Sequence, residues 1–255
     1  MQNISSGPGL NNHSLEATVA HEAFWTRAAE EIRPYDLLQH PFYQAWSAGE
    51  LTPAELGFYG RQYLNHVAAF PTYLTALHSR LPEGKTRSAV LRNAAEEEVK
   101  GKPHADLWRQ FAAGIDPQAP AQPEEVLPEV QDLIAAYREM GRSASPATAL
   151  GAFYAYESQV PRVAEEKRSG LKKFYGADDA TCAYFTLHRT ADVHHANVWR
   201  GLIEQGIDEQ GNAAAADALD GMRAGARALW HALDGIEAAR MQARAANGEP
   251  QPACC

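Results

Sequence analysis

The chain is short of cysteine: only Cys182, Cys254 and Cys255 occur among its 255 residues. Three thiols without a CxxC spacing give neither a disulfide framework nor a sulfur-based zinc site, and a reducing cytoplasm is the expected compartment. Basic residues are outnumbered, 23 Lys and Arg against 32 Asp and Glu, and a formal charge of −9 makes nucleic acid and anionic membrane poor partners. No run approaches the ~18 continuous apolar residues of a membrane span. The opening MQNISSGPGLNNHS has neither the basic start nor the apolar stretch of a signal peptide. The Cys254-Cys255 ending lacks a CaaX box and reads as an unordered tail. Alternating apolar runs bounded by turn residues are missing as well, so no strands are expected.

What the sequence does have is helical periodicity from end to end. The expected organisation is one all-α domain over 14–247, between disordered tails at 1–13 and 248–255, built as a bundle of seven to eight helices. Val19, Phe24, Trp25, Ala28 and Ile32 recur at helical spacing before Pro34. HPFYQAWSAG reads as a short helix ended by Gly49, and Thr52, Pro53 and Glu55 mark the start of a long one that Pro71 should kink. Helices follow over Ser88–Lys100, 104–114 and Pro128–Met140, with 116–122 as a loop. Ser145 and Pro146 start another, predicted to bend at Pro161 and stop at Gly170. Asp178 caps the next, and Leu219, Met222, Ala226, Leu229, Leu233 and Ile236 share one face of the last.

The chemistry concentrates in HRTADVHHANVW, residues 188–199. At i, i+4 and i+7 of a helix, His188, Asp192 and His195 point within roughly 40° of one another. Two imidazoles and a carboxylate on one face form a donor set suited to redox-active iron or manganese. Read alone, the triplet is equally an ordinary polar face. Two further groups strengthen the metal reading. Glu97 and His104 stand seven apart, across a break at Gly101 and Pro103, and Glu157 lies in the apolar stretch LGAFYAYESQVP, where an unpaired carboxylate is costly to bury. Each has its plain alternative: Glu96, Glu97 and Glu98 form a run of acids of the kind usually solvated, and Glu157 has Arg162 nearby as a partner. Together the six supply three histidines and three carboxylates, enough for two metals with open positions for dioxygen and with much of the metal charge neutralised.

This pattern, Glu97-x6-His104, Glu157, His188-x3-Asp192-x2-His195, resembles the haem-oxygenase-like dinuclear metal oxidases, a superfamily shared with the TenA thiaminases and PqqC oxidases. The likeness covers about Leu15–Trp230. TenA fits less well because Cys182 falls beside the metal motif, away from where that family's nucleophile belongs. PqqC-like enzymes lack the full donor set. A nearer resemblance is to the chlamydial protein associating with death domains and its bacterial relatives, which look like self-sacrificing 4-aminobenzoate synthases. The resemblance implies an Fe/Fe or Fe/Mn centre, dioxygen and an external reductant as co-substrates, and a homodimer. It also implies that a tyrosine of the chain supplies the aromatic ring and a lysine the amino group. The matching positions are Tyr43 and Lys167, with Tyr59, Tyr156 and Tyr184 as aromatic neighbours of the centre; Tyr63, Tyr73 and Tyr154 are expected only to line the core. His194 beside His195 and the run of three acids depart from the family pattern. An oxidase acting on an external small molecule and a non-enzymatic interaction module are the alternatives, and haem binding is suggested by the fold alone.

Overall fold

The computed structural model describes residues 12–118 and 125–248, with side chains from residue 18 onward. The predicted tails therefore lie almost wholly outside the described residues, as does most of the predicted 116–122 loop. Among the described residues there is no strand, and ten α-helices follow in order: α1 (Asn12–Ile32), α2 (Pro41–Ala48), α3 (Pro53–Arg80), α4 (Lys85–Glu98), α5 (His104–Ile115), α6 (Pro128–Arg142), α7 (Pro146–Glu157), α8 (Val160–Tyr175), α9 (Ala183–Gln210) and α10 (Asn212–Ala246).

Local chemistry sets most of these ends. At α3, Thr52 Oγ1 accepts from the Glu55 N–H and the Glu55 carboxylate accepts from the Thr52 N–H, a reciprocal cap with Pro53 in the first turn. The helix then runs unbroken through Pro71. Gly49 closes α2 in the left-handed conformation, φ 75°. Asp178 receives the Thr181 N–H at 2.8 Å, which caps the turn leading into α9 rather than α9 itself. Val19, expected on the apolar face of α1, is exposed, whereas Phe24, Trp25 and Ala28 are buried.

The single helix expected over 145–170 is two. Pro161 has no N–H to give the Glu157 carbonyl, and instead of bending the helix this ends α7 at Glu157, with α8 restarting at Val160. Gly170 does not stop α8, which continues to Tyr175 and is closed by Gly176 at φ 60°. Gly170 serves packing: a Cβ there would lie 2.9 Å from the Trp46 ring.

The helices that matter for the site are held by close packing. α10 lies along α7 and α6, α3 against α4, α5 and α6, and α9 against α8 and α7. The predicted face of α10 is buried throughout. α7 is buried from Ala149 to Glu157 except at half-buried Tyr154, and Gly151 and Gly221 let α7 and α10 approach backbone to backbone: a Cβ on Gly221 would collide with the Thr148 carbonyl oxygen. This contact fixes the height at which Glu157, the last residue of α7, enters the core. Gly221→Ala is expected to destabilise the protein by about 1–3 kcal/mol, as overpacking does, seen as a lower urea midpoint at unchanged m-value.

Candidate metal centre

Six buried polar groups converge where α4, α5, α7 and α9 meet: Glu97, His104, Glu157, His188, Asp192 and His195. The run of three acids is resolved by burial. Glu97 points inward, Glu98 is exposed, and Glu96 stands half-buried beside His195. The α4–α5 connection turns at Gly101, φ 83°, so His104 opens α5 and its Nδ1 reaches Glu97 Oε2 at 2.6 Å. His188 Nε2 lies 3.1 Å from His104 Nδ1. On the other side, His195 Nδ1 is 3.5 Å from both Glu157 Oε1 and Asp192 Oδ1.

Among the described residues these form two groups able to hold a metal ion, Glu97–His104–His188 and Glu97–Glu157–His195, in each of which the donor atoms lie within 4.8 Å of one another. Glu97 belongs to both, so its carboxylate would be common to the two groups. Asp192 is in neither group and stands beside the second.

The residues fit a metal on physical grounds. Asp192 Oδ1 and His195 Nδ1 are buried with no hydrogen-bond partner, although they face other polar atoms. Leaving such groups unsatisfied is expensive, and a cation between them would satisfy both. Burial pushes the Asp192 carboxyl well above its usual range and raises that of Glu157. Glu97 is pushed the same way by burial, but its hydrogen bond to His104 and the nearby imidazoles of His104, His188 and His195 together outweigh this and hold it low. Burial works against a charged His195, yet Asp192 and Glu157 prevail and lift it to about 11; His188 is lowered by burial to about 4. Oxygen and imidazole donors without sulfur suit iron and manganese.

Three residues the sequence analysis did not single out support the donors. The Trp199 indole N–H donates to Glu157 Oε2. The Asn93 amide donates to Glu157 Oε1 at 3.4 Å. The carboxylate of Glu96 lies 2.8 Å from His195 Nε2. A signal for two of them was present: Asn93 is one helical turn before Glu97, and Trp199 one turn after His195.

Beside this centre lies a second buried cluster. Lys167 Nζ donates to Tyr43 Oη at 2.7 Å and to Tyr59 Oη at 2.6 Å, and the two phenols are 3.0 Å apart. Val160, Val163, Ala164, Lys167 and Leu171 form the buried face of α8, so Lys167 occupies a core position of an amphipathic helix. No carboxylate among the described residues pairs with it. Burial therefore lowers its amine well below the ordinary lysine value, and raises the phenols of Tyr43 and Tyr59.

A cavity of about 20 Å³ lies against the tyrosine–lysine cluster, with Tyr43, Lys167, Tyr63, Tyr156 and Tyr184 in its wall. The Tyr184 ring stacks on His188, 3.8 Å between centroids, and Tyr63 stacks on Tyr59 at 5.5 Å. Tyr156 shares the cavity wall with both Tyr63 and Tyr184. Tyr63, expected only to fill the core, thus lines the cavity beside Tyr43 and Lys167. Tyr73 and Tyr154 do not line the cavity.

The depressed lysine has a consequence for stability. In the unfolded chain the amine titrates near ~10.4. Between its lowered folded value and that pH the unfolded chain holds the extra proton, so stability rises with pH. Lys167→Met is predicted to remove this rise, of at most about 1.4 kcal/mol per pH unit, in urea titrations from about pH 7 to about pH 9. An unchanged slope would mean the amine is charged in the fold.

Comparison with known proteins agrees with this architecture. A haem-oxygenase-like family described as iron-containing redox enzymes matches residues 58–230. A protein of Chlamydia pneumoniae named 4-aminobenzoate synthase is 36% identical over 206 residues, covering 80% of this chain and 90% of that one. One of the same name from Nitrosomonas europaea is 37% identical over 230 residues, 86% of this chain and 92% of its own. Among solved structures, a domain of haem oxygenase-like fold from Shewanella denitrificans aligns with a TM-score of 0.70 at 16% identity, over 96% of this chain and 99% of that one. A CADD-like protein of unknown function from Nostoc punctiforme aligns at 0.66 and 12% identity, over 88% and 97%. No helix among the described residues is long and apolar enough to cross a membrane. By sequence and by fold alike, the chain belongs to the haem-oxygenase-like family of iron-containing redox enzymes.

Proposed function

We propose that the chain synthesises 4-aminobenzoate, using dioxygen and consuming its own Tyr43. The observation that carries this reading is the position of the Lys167 amine, 2.7 Å from the phenol oxygen of Tyr43. In tyrosine the oxygen is para to Cβ, and in 4-aminobenzoate the nitrogen is para to the carboxylate. The ring with Cβ therefore already carries the product's carbon skeleton. Breaking Cα–Cβ, oxidising Cβ and exchanging oxygen for nitrogen completes the product, and Lys167 holds a nitrogen at the atom where that exchange is needed.

Glu97, His104 and His188 would hold one metal ion, and Glu97, Glu157 and His195, with Asp192 beside them, the other, as an Fe/Fe or Fe/Mn pair. Bound there, the pair supplies the one-electron and dioxygen chemistry that amino-acid side chains cannot. The protein's own part is orientation and exclusion of water. Tyr43 is 3% exposed and Lys167 5%, so the amine stays neutral and nucleophilic. Tyr184, stacked on His188, and Tyr156 and Tyr63, which line the same cavity, would provide oxidisable rings on the way to Tyr59 and Tyr43.

An external substrate finds little support: the cavity beside Tyr184 is about 20 Å³, close to the space of one water. An interaction module would have no use for six buried polar groups whose burial costs stability. Protein produced with ring-labelled tyrosine, then given iron, manganese, reductant and air, is expected to release labelled 4-aminobenzoate at no more than one molecule per chain. Repeated turnover in the presence of an unlabelled small molecule would instead identify an oxidase of external substrates.

A further inference from the structure

We propose that Glu96 is a positioning residue that fixes His195 for metal binding, and that its loss weakens one of the two metal positions selectively. The inference rests on the dinuclear reading of the site. A carboxylate only accepts hydrogen bonds, so the 2.8 Å contact with Glu96 Oε2 places the ring proton of His195 on Nε2. The other nitrogen, Nδ1, gives up its proton on metal binding, and its lone pair points to the side where Glu157 Oε1 and Asp192 Oδ1 lie, each 3.5 Å away. Without Glu96 the ring could hold its proton on either nitrogen and turn about Cβ–Cγ.

His188 shows the mirror arrangement. Its Nδ1 lies 2.8 Å from the Tyr184 carbonyl oxygen, which also only accepts, so Nε2 keeps its lone pair and faces His104. Both histidines are thus set by a hydrogen bond from the nitrogen turned away from the metal-binding groups, the arrangement that orients metal-binding histidines generally. The two supports differ in kind. For His188 it is backbone inside α9, which no side-chain substitution removes. For His195 it is a side chain on α4, 31% exposed and steadied by Lys100 Nζ at 3.0 Å. His195 belongs only to the group with Glu97 and Glu157, so removing Glu96 acts on that group and spares Glu97–His104–His188.

The test is a Co(II) titration of the full chain, read by the d–d absorption bands and by equilibrium dialysis. The wild-type chain is expected to take up two ions. Glu96→Ala should keep one at wild-type affinity and bind the second about 10- to 100-fold more weakly, with an altered d–d spectrum for that ion and unchanged helix content by circular dichroism. Glu96→Gln retains an acceptor oxygen and should recover much of the loss; Glu98→Ala, at the exposed neighbour, should behave as wild type. Two ions bound by Glu96→Ala at wild-type affinity, or equal weakening of both, would overturn the proposal. A wild-type chain that binds no metal would instead remove the dinuclear reading beneath it.

Discussion

Tyr43→Phe is expected to release no 4-aminobenzoate, even over a single turnover, while remaining folded and able to load metal. The substitution keeps a ring of nearly the same shape in a site that is 3% exposed, so packing is preserved. It removes the one atom against which Lys167 Nζ rests at 2.7 Å and leaves the amine its other partner, Tyr59, at 2.6 Å. Two buried hydrogen bonds go with that atom, the one from Lys167 and the 3.0 Å contact with Tyr59 Oη, so the stability change should stay within about 1–3 kcal/mol. Loss of product is therefore not attributable to unfolding, and melting curves beside product analysis separate the two. Tyr59→Phe is the informative companion: it keeps the donor ring at position 43 and should still yield product, more slowly. Product from the Tyr43 variant, or none from the Tyr59 variant with Tyr43 left intact, would move the ring source elsewhere.

Glu97→Ala should cost the chain both metal ions. Glu97 is shared by the two groups of potential donors, and it is the hydrogen-bond partner of His104 at 2.6 Å. Supporting residues around metal sites contribute about 10- to 100-fold in affinity, so removal of a direct donor common to both ions should exceed that, and metal analysis after dialysis should find the variant essentially empty. Asp192→Ala, outside both groups, should lose less. Retention of two ions by Glu97→Ala would show that the metals lie elsewhere in the bundle.

Much of this site was legible in the sequence because helical geometry is local. The 188/192/195 spacing alone puts three side chains on one face, and α9 carries all three into the core. The lysine could also be read locally, since Val160, Val163, Ala164 and Leu171 define the face on which Lys167 falls. Pro161 marked the right place with the wrong consequence: it ends α7 where a bend was expected, because the missing N–H coincides with the turn at Ser158 and Gln159. Gly170 was misread because a glycine that admits Trp46 looks, in sequence, like one that stops a helix. What periodicity could not supply was contact between helices. That Lys167 meets Tyr43, 124 residues away, came from family resemblance and not from spacing. That Glu96 turns to His195 while Glu97 turns inward depends on how α4 is rotated against α9. Tyr63 passed for core filling because nothing in its neighbourhood distinguishes a ring that lines a cavity from one that fills a layer.

Central to the proposed function is that the chain is its own substrate. Peptide mapping by mass spectrometry of the wild-type protein, before and after exposure to iron, manganese, reductant and air, reads this directly. The peptide containing position 43 should lose the tyrosine side chain in proportion to the 4-aminobenzoate released. Product accumulating while that peptide, and every other tyrosine-containing peptide, keeps its mass would contradict the account.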